Sequence, residues 1–487
     1  MPLRTAIRDL VILDGNGGPA VAGDVGIDDE GRIAEVGSVG AAASDFDGEG
    51  MTLAPGFVDV HAHDDGALVN QPDLGFKLSQ GCTSLVIGNC GFSAFPAVPG
   101  RPSRDLLGLE PTWSDLDGFG RVVQRGRPAC NAVALVGHNT VRSLVMGTER
   151  REPGGDELAA MAGHVRAAMS QGACGFSTGL VYEPGRFSRT EELIELARHV
   201  APFGGVYATH MRNEGDRLLQ SVDEALQISA EAGVALQISH HKAAGRRNWG
   251  RVSESLAKVD AAIAAGADVT LDVYPYTAGS GPMIQYFDLD DPDPELAAAI
   301  RLASCPAFPE LQGRMLADVA AEHGMSLAES VRHVLTAPHG DRTICIQFLM
   351  DEADVVANLG HGAVMIGSDG IPDRKGLPHP RLYGTFPKVL GRYVRTQGVL
   401  TLPEAVRRMT SLPCDRFGLQ GRGRVRPGDW ADLVLFDPAV VADTATYDDP
   451  RREAVGIGAV WVNGELALVK GRHTGVGAGR LLRFGTG

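Results

Sequence analysis

The chain has 487 residues, 44% of them hydrophobic and 22% charged, a balance that belongs to a folded protein with a large core and excludes a disordered one. Its formal net charge of −15 leaves no basic stretch to neutralise phosphates, which argues against a nucleic acid or an anionic membrane as partner. No run approaches the roughly 18 apolar residues of a membrane span, the N-terminus lacks a signal-peptide apolar core, and seven scattered cysteines suit reduced thiols, so a soluble cytoplasmic protein is expected.

From Asp9 to Val36 the sequence alternates in short runs, DLVILDG and GDVGIDDEGRIAEVG, with an Asp-Glu-Gly turn inside the second. These runs predict a small antiparallel unit with too few apolar residues for a core of its own. From about Gly56 the rhythm becomes buried strand, loop, helix. Eight candidate strands follow: GFVDVHAH, CTSLVIGNC, NAVALVGHN, GACGFSTG, GGVYATHM, ALQISHHK, DVTLDVYPY and AVMIGSDG. Helical patterns such as ELAAMAGHVRAAMSQG and ESLAKVDAAIAAGA lie between them, closed by glycine. Continuous apolar strands alternating with helices predict an α/β fold, a (β/α)8 barrel of the TIM type. A doubly wound open sheet is the rival, disfavoured because no GxGxxG or phosphate loop follows the first strand.

Residues 283–342 interrupt the barrel pattern and predict an insertion, either a lid or an inert surface subdomain. The run Thr343–Phe348 reads either as an extra strand or as a competitor for the seventh place. After Cys414 the short strands return, with Asn463-Gly464 as a hairpin signal. The resulting expectation is a composite antiparallel β-domain from residues 1–55 and 415–487, with a barrel from 56–414 inserted between its halves.

The chemistry concentrates at the strand exits, where barrel enzymes place their reacting groups. The first strand ends in His61 and His63, two imidazoles one residue apart that a strand directs to one face. Later exits offer Cys90, His210, His240 and Asp369. Each alone reads equally well as a core residue, a satisfied histidine or a helix cap. Six nitrogen, thiolate and carboxylate donors on one rim together predict a metal centre of the zinc type. His138, after the third strand, is a further candidate to line the pocket, whereas His164 and His199 fall within helical patterns and read as surface residues.

The segments PGFVDVHAHDD, GNCGFS, GFSTGLVYEPG, ATHMRNEGD, ISHHKAAG, DVYPYTAGS, IGSDGIP and HPRLYGTFPKVLG, with GRGRVRPGDWADLVLFDP near the C-terminus, resemble the N-acyl-D-amino-acid deacylases (D-aminoacylases) of the amidohydrolase superfamily over essentially the whole chain. The resemblance implies zinc-dependent hydrolysis of N-acyl-D-amino acids to a carboxylate and a free D-amino acid. It implies a tight Zn2+ site at Cys90, His210 and His240, a weaker second site at His61, His63 and Asp369, and Asp369 as the catalytic base. No lysine occurs between Lys77 and Lys242, so the carboxylated lysine of many amidohydrolases is absent and Cys90 stands in its place. Lys242, Arg381, Tyr274 and Ser280 fall on the family's positions for binding the substrate carboxylate. Tyr274 also reads as a packing aromatic, with Tyr276 as its rival. The alternatives are a relative acting on another linear or cyclic amide, as hydantoinases do, and a non-catalytic barrel, which the presence of all six donors disfavours.

Overall fold

The computed structural model describes residues 3–102 and 107–485; the outermost residues of the expected terminal β-domain, 1–2 and 486–487, lie outside that range. Five strands open the chain: β1 (Leu3–Ile12), β2 (Val21–Asp28), β3 (Ile33–Gly37), β4 (Ala42–Asp47) and β5 (Thr52–Pro55). The barrel follows with β6 (Phe57–Asp59), β7 (Cys82–Ile87), β8 (Asn131–Gly137), β9 (Gly175–Gly179), β10 (Val206–His210), β11 (Ala235–Ile238) and β12 (Val269–Val273). The inserted strands β13 (Gly279–Pro282), β14 (Ile300–Ser304) and β15 (Ile344–Gln347) precede the eighth barrel strand, β16 (Val364–Ile366). The chain closes with β17 (Leu433–Phe436), β18 (Ile457–Val462), β19 (Glu465–Val469) and β20 (Arg472–His473).

All eight predicted barrel strands are present and run parallel in the order β6 to β12 and then β16. No ladder joins β16 back to β6; a single parallel bridge between Ala62 and Gly370, just past their ends, closes the circle. The two-residue side-chain period sorts each strand between two cores. Val58, Val86, Val133, Leu135, Val206, Ala208 and Met365 meet one another inside the barrel. Leu85, Ile87, Ala134, Val136, Leu236, Ile238, Leu271 and Ile366 pack outward against the helices.

Both chain ends build one sheet, in the order β20-β19-β18-β17-β5-β1-β2-β3, with β5 joined antiparallel to β17. It is not wholly antiparallel, because β1 pairs parallel with both β4 and β5. Asn463 and Gly464 turn between β18 and β19 with φ of 50° and 78°, the backbone an Asn-Gly hairpin needs. The insertion forms its own three-stranded antiparallel sheet, β13-β15-β14, over a core that includes Phe287, Ile300, Leu302, Leu316 and Val331. Residues 344–347 therefore belong to the insertion and do not compete for the barrel. Among the described residues no helix is long and apolar enough to cross a membrane.

Candidate metal centre and active site

The barrel period alone does not deliver the donors to one point; three backbone reversals complete it. In β10 the inward positions Val206 and Ala208 are followed two residues on by His210, which enters the lumen in register. In β11 the outward positions are Leu236 and Ile238, so simple alternation would send His240 outward too. A left-handed backbone at His240, φ 34°, turns its ring inward and sends His241 out to Ser255 and Asn358 on the helices. Cys90 and Asp369 are likewise left-handed, with φ of 54° and 49°. Such conformations are uncommon for residues with a Cβ and concentrate at functional sites. His61 and His63 lie beyond the end of β6, on either side of the bridged Ala62, which keeps both rings on one side. Gly179 allows the Cys90 loop to lie against β9, since a Cβ there would stand 2.1 Å from the Cys90 carbonyl oxygen.

The six predicted donors are brought together, and all are buried. Cys90 Sγ is 3.3 Å from His61 Nε2, 3.5 Å from His240 Nε2 and 3.7 Å from His210 Nδ1. Zn–S and Zn–N bonds of about 2.3 and 2.05 Å in a tetrahedron separate sulfur from nitrogen by about 3.6 Å, so these spacings fit zinc. Asp369 Oδ1 is 3.1 Å from His63 Nε2 and 3.6 Å from His61 Nε2. The two trios are thus not separate: His61 stands between Cys90 and Asp369 and can serve either. Burial would push the Cys90 thiol up, but the charges of His61 and His240 and the hydrogen bonds from His210 and His240 pull it well below the usual thiol range. A thiolate in reach of imidazole nitrogens is the form that binds metal. Burial also opposes ionisation of Asp369, yet Arg381 and the neighbouring histidines hold its carboxyl well below the carboxylate range.

The four predicted substrate contacts also converge. The Tyr274 ring lies beside both cations, with the Arg381 guanidinium 4.5 Å and Lys242 Nζ 5.8 Å from its centroid. Among the described residues its buried hydroxyl has no hydrogen-bond partner. The rival Tyr276 instead faces Lys388 and His379. Arg381 pairs with Asp369 Oδ2 at 2.9 Å and donates from Nη2 to the Ser280 carbonyl oxygen, which ties β13 of the insertion to the site. A second tie is aromatic: Tyr182 packs edge-on to His210 and meets Tyr286 of the insertion. His138 does not line the pocket. It lies in the outer layer against Phe176, with Nε2 2.8 Å from Glu192.

Sequence reasoning missed the carboxylates behind the donors. Asp272 Oδ1 is 3.2 Å from His61 Nδ1 and accepts the His240 backbone N–H at 2.8 Å. Glu214 Oε1 is 2.9 Å from His240 Nδ1 and 2.6 Å from Lys242 Nζ, while its Oε2 is 3.6 Å from His210 Nε2. Asp272 had a readable signal, an acid at an inward position of an otherwise apolar strand. Glu214, four residues past His210 in a loop, had none.

A thiolate, histidines and a carboxylate at the C-terminal rim of a parallel barrel define a metal-dependent hydrolase of the TIM-barrel class. The comparisons narrow the class. The amidohydrolase family model matches residues 46–309 and 344–467, and the break between them falls inside the insertion. D-aminoacylase of Alcaligenes xylosoxydans xylosoxydans is 43% identical over 477 residues, 97% of this chain and 96% of that one. The solved N-acyl-D-glutamate deacylase of Bordetella bronchiseptica, complexed with zinc and a phosphonate mimic of the tetrahedral intermediate, is 41% identical with a TM-score of 0.92, over 99% of this chain and 100% of that one. L-hydantoinase of Arthrobacter aurescens, 16% identical with a TM-score of 0.61 over 99% of this chain and 100% of that one, shares the fold alone. This chain belongs to the amidohydrolase family, among its N-acyl-D-amino-acid deacylases.

Proposed function

We propose that the protein is a zinc-dependent N-acyl-D-amino-acid deacylase that hydrolyses the amide to a carboxylate and a free D-amino acid. The observation that carries this reading is the Cys90 sulfur within 3.7 Å of three imidazole nitrogens, beside two cations gathered on Tyr274. Cys90, His210 and His240 hold the tight zinc, and His61, His63 and Asp369 form the second, weaker position. The preference for the D series rests on the likeness to D-aminoacylase and N-acyl-D-glutamate deacylase.

Zinc held there would supply Lewis-acid polarisation of the amide carbonyl and would make water acidic enough to yield hydroxide near neutral pH. The chain's own groups do the rest. Arg381 and Lys242 take the substrate α-carboxylate, Arg381 through its planar fork, with the Tyr274 and Ser280 hydroxyls as further donors. Asp369 accepts the proton of the attacking water and returns it to the amine nitrogen, which cannot depart as an anion. Tyr182 and Tyr286 screen His210 from bulk water. Residues 1–55 with 415–487 form the supporting β-domain and residues 56–414 the catalytic barrel. Seven unpaired, buried thiols support a cytoplasmic location, and the charge of −15 supports a small-molecule substrate with no nucleic-acid partner.

The test is to quantify zinc in the purified protein and assay matched N-acetyl-D- and N-acetyl-L-amino acids with acidic, neutral and apolar side chains. Hydrolysis confined to the D series by zinc-loaded protein is the expected result. Zinc-loaded protein that cleaves no D-substrate overturns the reading.

A further inference from the structure

Behind the Cys90 trio lies a second set of contacts, made by the ring nitrogens that face away from the thiolate. His210 presents Nδ1 to Cys90 and Nε2 to Glu214, whereas His240 presents Nε2 to Cys90 and Nδ1 to Glu214. One carboxylate therefore spans the far sides of two histidines that face Cys90 through different nitrogens. A histidine binds metal through an unprotonated nitrogen, so His210 must carry its proton on Nε2 and His240 on Nδ1. Glu214 Oε1, 2.9 Å from His240 Nδ1, accepts from that nitrogen and favours the required form of His240, while its Oε2, 3.6 Å from His210 Nε2, acts on His210 by charge alone.

Lys242 complicates the arrangement. Its Nζ is 2.6 Å from Glu214 Oε1 and also 2.7 Å from His240 Nδ1. His210, Glu214 and His240 are close enough to hold a cation of their own, and the lysine ammonium fills that place. An ammonium has donors only. When it donates to His240 Nδ1, the imidazole proton must sit on Nε2, pointing at Cys90, which is the tautomer that cannot ligate. When Glu214 accepts from Nδ1–H, Nε2 is free.

We infer that Glu214 and Lys242 are opposed positioning residues: Glu214 holds His240 in its metal-binding tautomer, and Lys242 draws that ring toward the other one. This rests on Cys90, His210 and His240 being the zinc ligands.

The test uses the full chain as wild type, Glu214→Gln and Lys242→Met, each first stripped of metal and then titrated with zinc against a chromophoric chelator. Glu214→Gln should weaken zinc about 10–100-fold, because a neutral amide accepts the His240 Nδ1 proton less well and leaves Lys242 without its counter-charge, while Lys242→Met should tighten it. The imidazole 15N shifts of the metal-free proteins should show His240 moving toward the Nε2–H form in Glu214→Gln and toward Nδ1–H in Lys242→Met. Thermal melts of the metal-free variants check that both are folded, and Glu214→Asp covers a misfolded glutamine variant. Two shifts of the same sign, or a Glu214 variant within twofold of wild type, overturn the inference. Wild-type protein that binds no zinc overturns the ligand assignment instead.

Discussion

The two sides of the barrel hold their donors by different means. From β7 to β11 each strand is paired to the next, and His210 itself is a ladder residue, opposite Gly179. Across the seam between β6 and β16 there is one bridge. There Asp59 replaces the missing ladder: its Oδ1 accepts the N–H groups of His61 and Ser368, and its Oδ2 accepts the Ser368 hydroxyl at 2.5 Å. Lys77 neutralises the cluster, 2.5 Å from Asp59 and 3.1 Å from Asp64, with all three side chains fully buried. Gly367 lets the strands close, since a Cβ there would stand 2.6 Å from that of His61. Backbone pairing thus fixes His210 itself and the strands that lead to Cys90 and His240, while the buried ion cluster braces the backbone of His61 and of Ser368 beside Asp369. On the proposed assignment the tight zinc falls on the ladder side and the second position on the stitched side.

Removing one donor from each side should separate the two. Cys90→Ala should lose both bound zinc and deacylase activity, whereas His63→Ala should retain one equivalent of zinc. Elemental analysis after dialysis reads both, and a His63 variant as empty as the Cys90 variant would show that the two sides do not differ. Next in size is the seam itself. Lys77→Met leaves buried carboxylates without a counter-charge, a loss of about 3–5 kcal/mol, read as a lower urea midpoint. A loss under about 1 kcal/mol would mean that the seam does not depend on the ion cluster.

Donors are legible on both sides: the exits of five barrel strands offer all six, with His61, His63 and Asp369 at the seam included. The bracing of the seam is not, because its parts are scattered: Lys77 reads as the lone cation of an amphipathic turn, Ser368 as a small loop residue, and Asp59 as the polar position of a strand. Nor does a sequence announce left-handed backbone at Cys90, His240 and Asp369, where glycine would be the ordinary sign. The insertion's third strand is readable as a strand but not as to its partners, because pairing of Ile344–Gln347 with residues 40 or more positions away leaves no local trace.

The smallest effect concerns His241, which anchors the ladder side from without. Its Nδ1 is 2.7 Å from the Asn358 side-chain oxygen and its Nε2 is 2.7 Å from the Ser255 hydroxyl, so it ties the exit of β11 to two helices. Burial pushes its pKa down to about 4. The folded state therefore keeps the ring neutral in a range where the unfolded chain, with a histidine pKa near 6.5, takes up a proton. The unfolded state then binds more protons, and stability must fall as pH drops from about 6.5 toward 4. That difference amounts to about 2 kcal/mol between pH 7 and pH 5. His241→Gln keeps the hydrogen-bonding capacity without the charge, so its urea midpoint should change less over that interval. Equal slopes for the two proteins would place the acid sensitivity elsewhere, with the seam carboxylates as the next groups to examine.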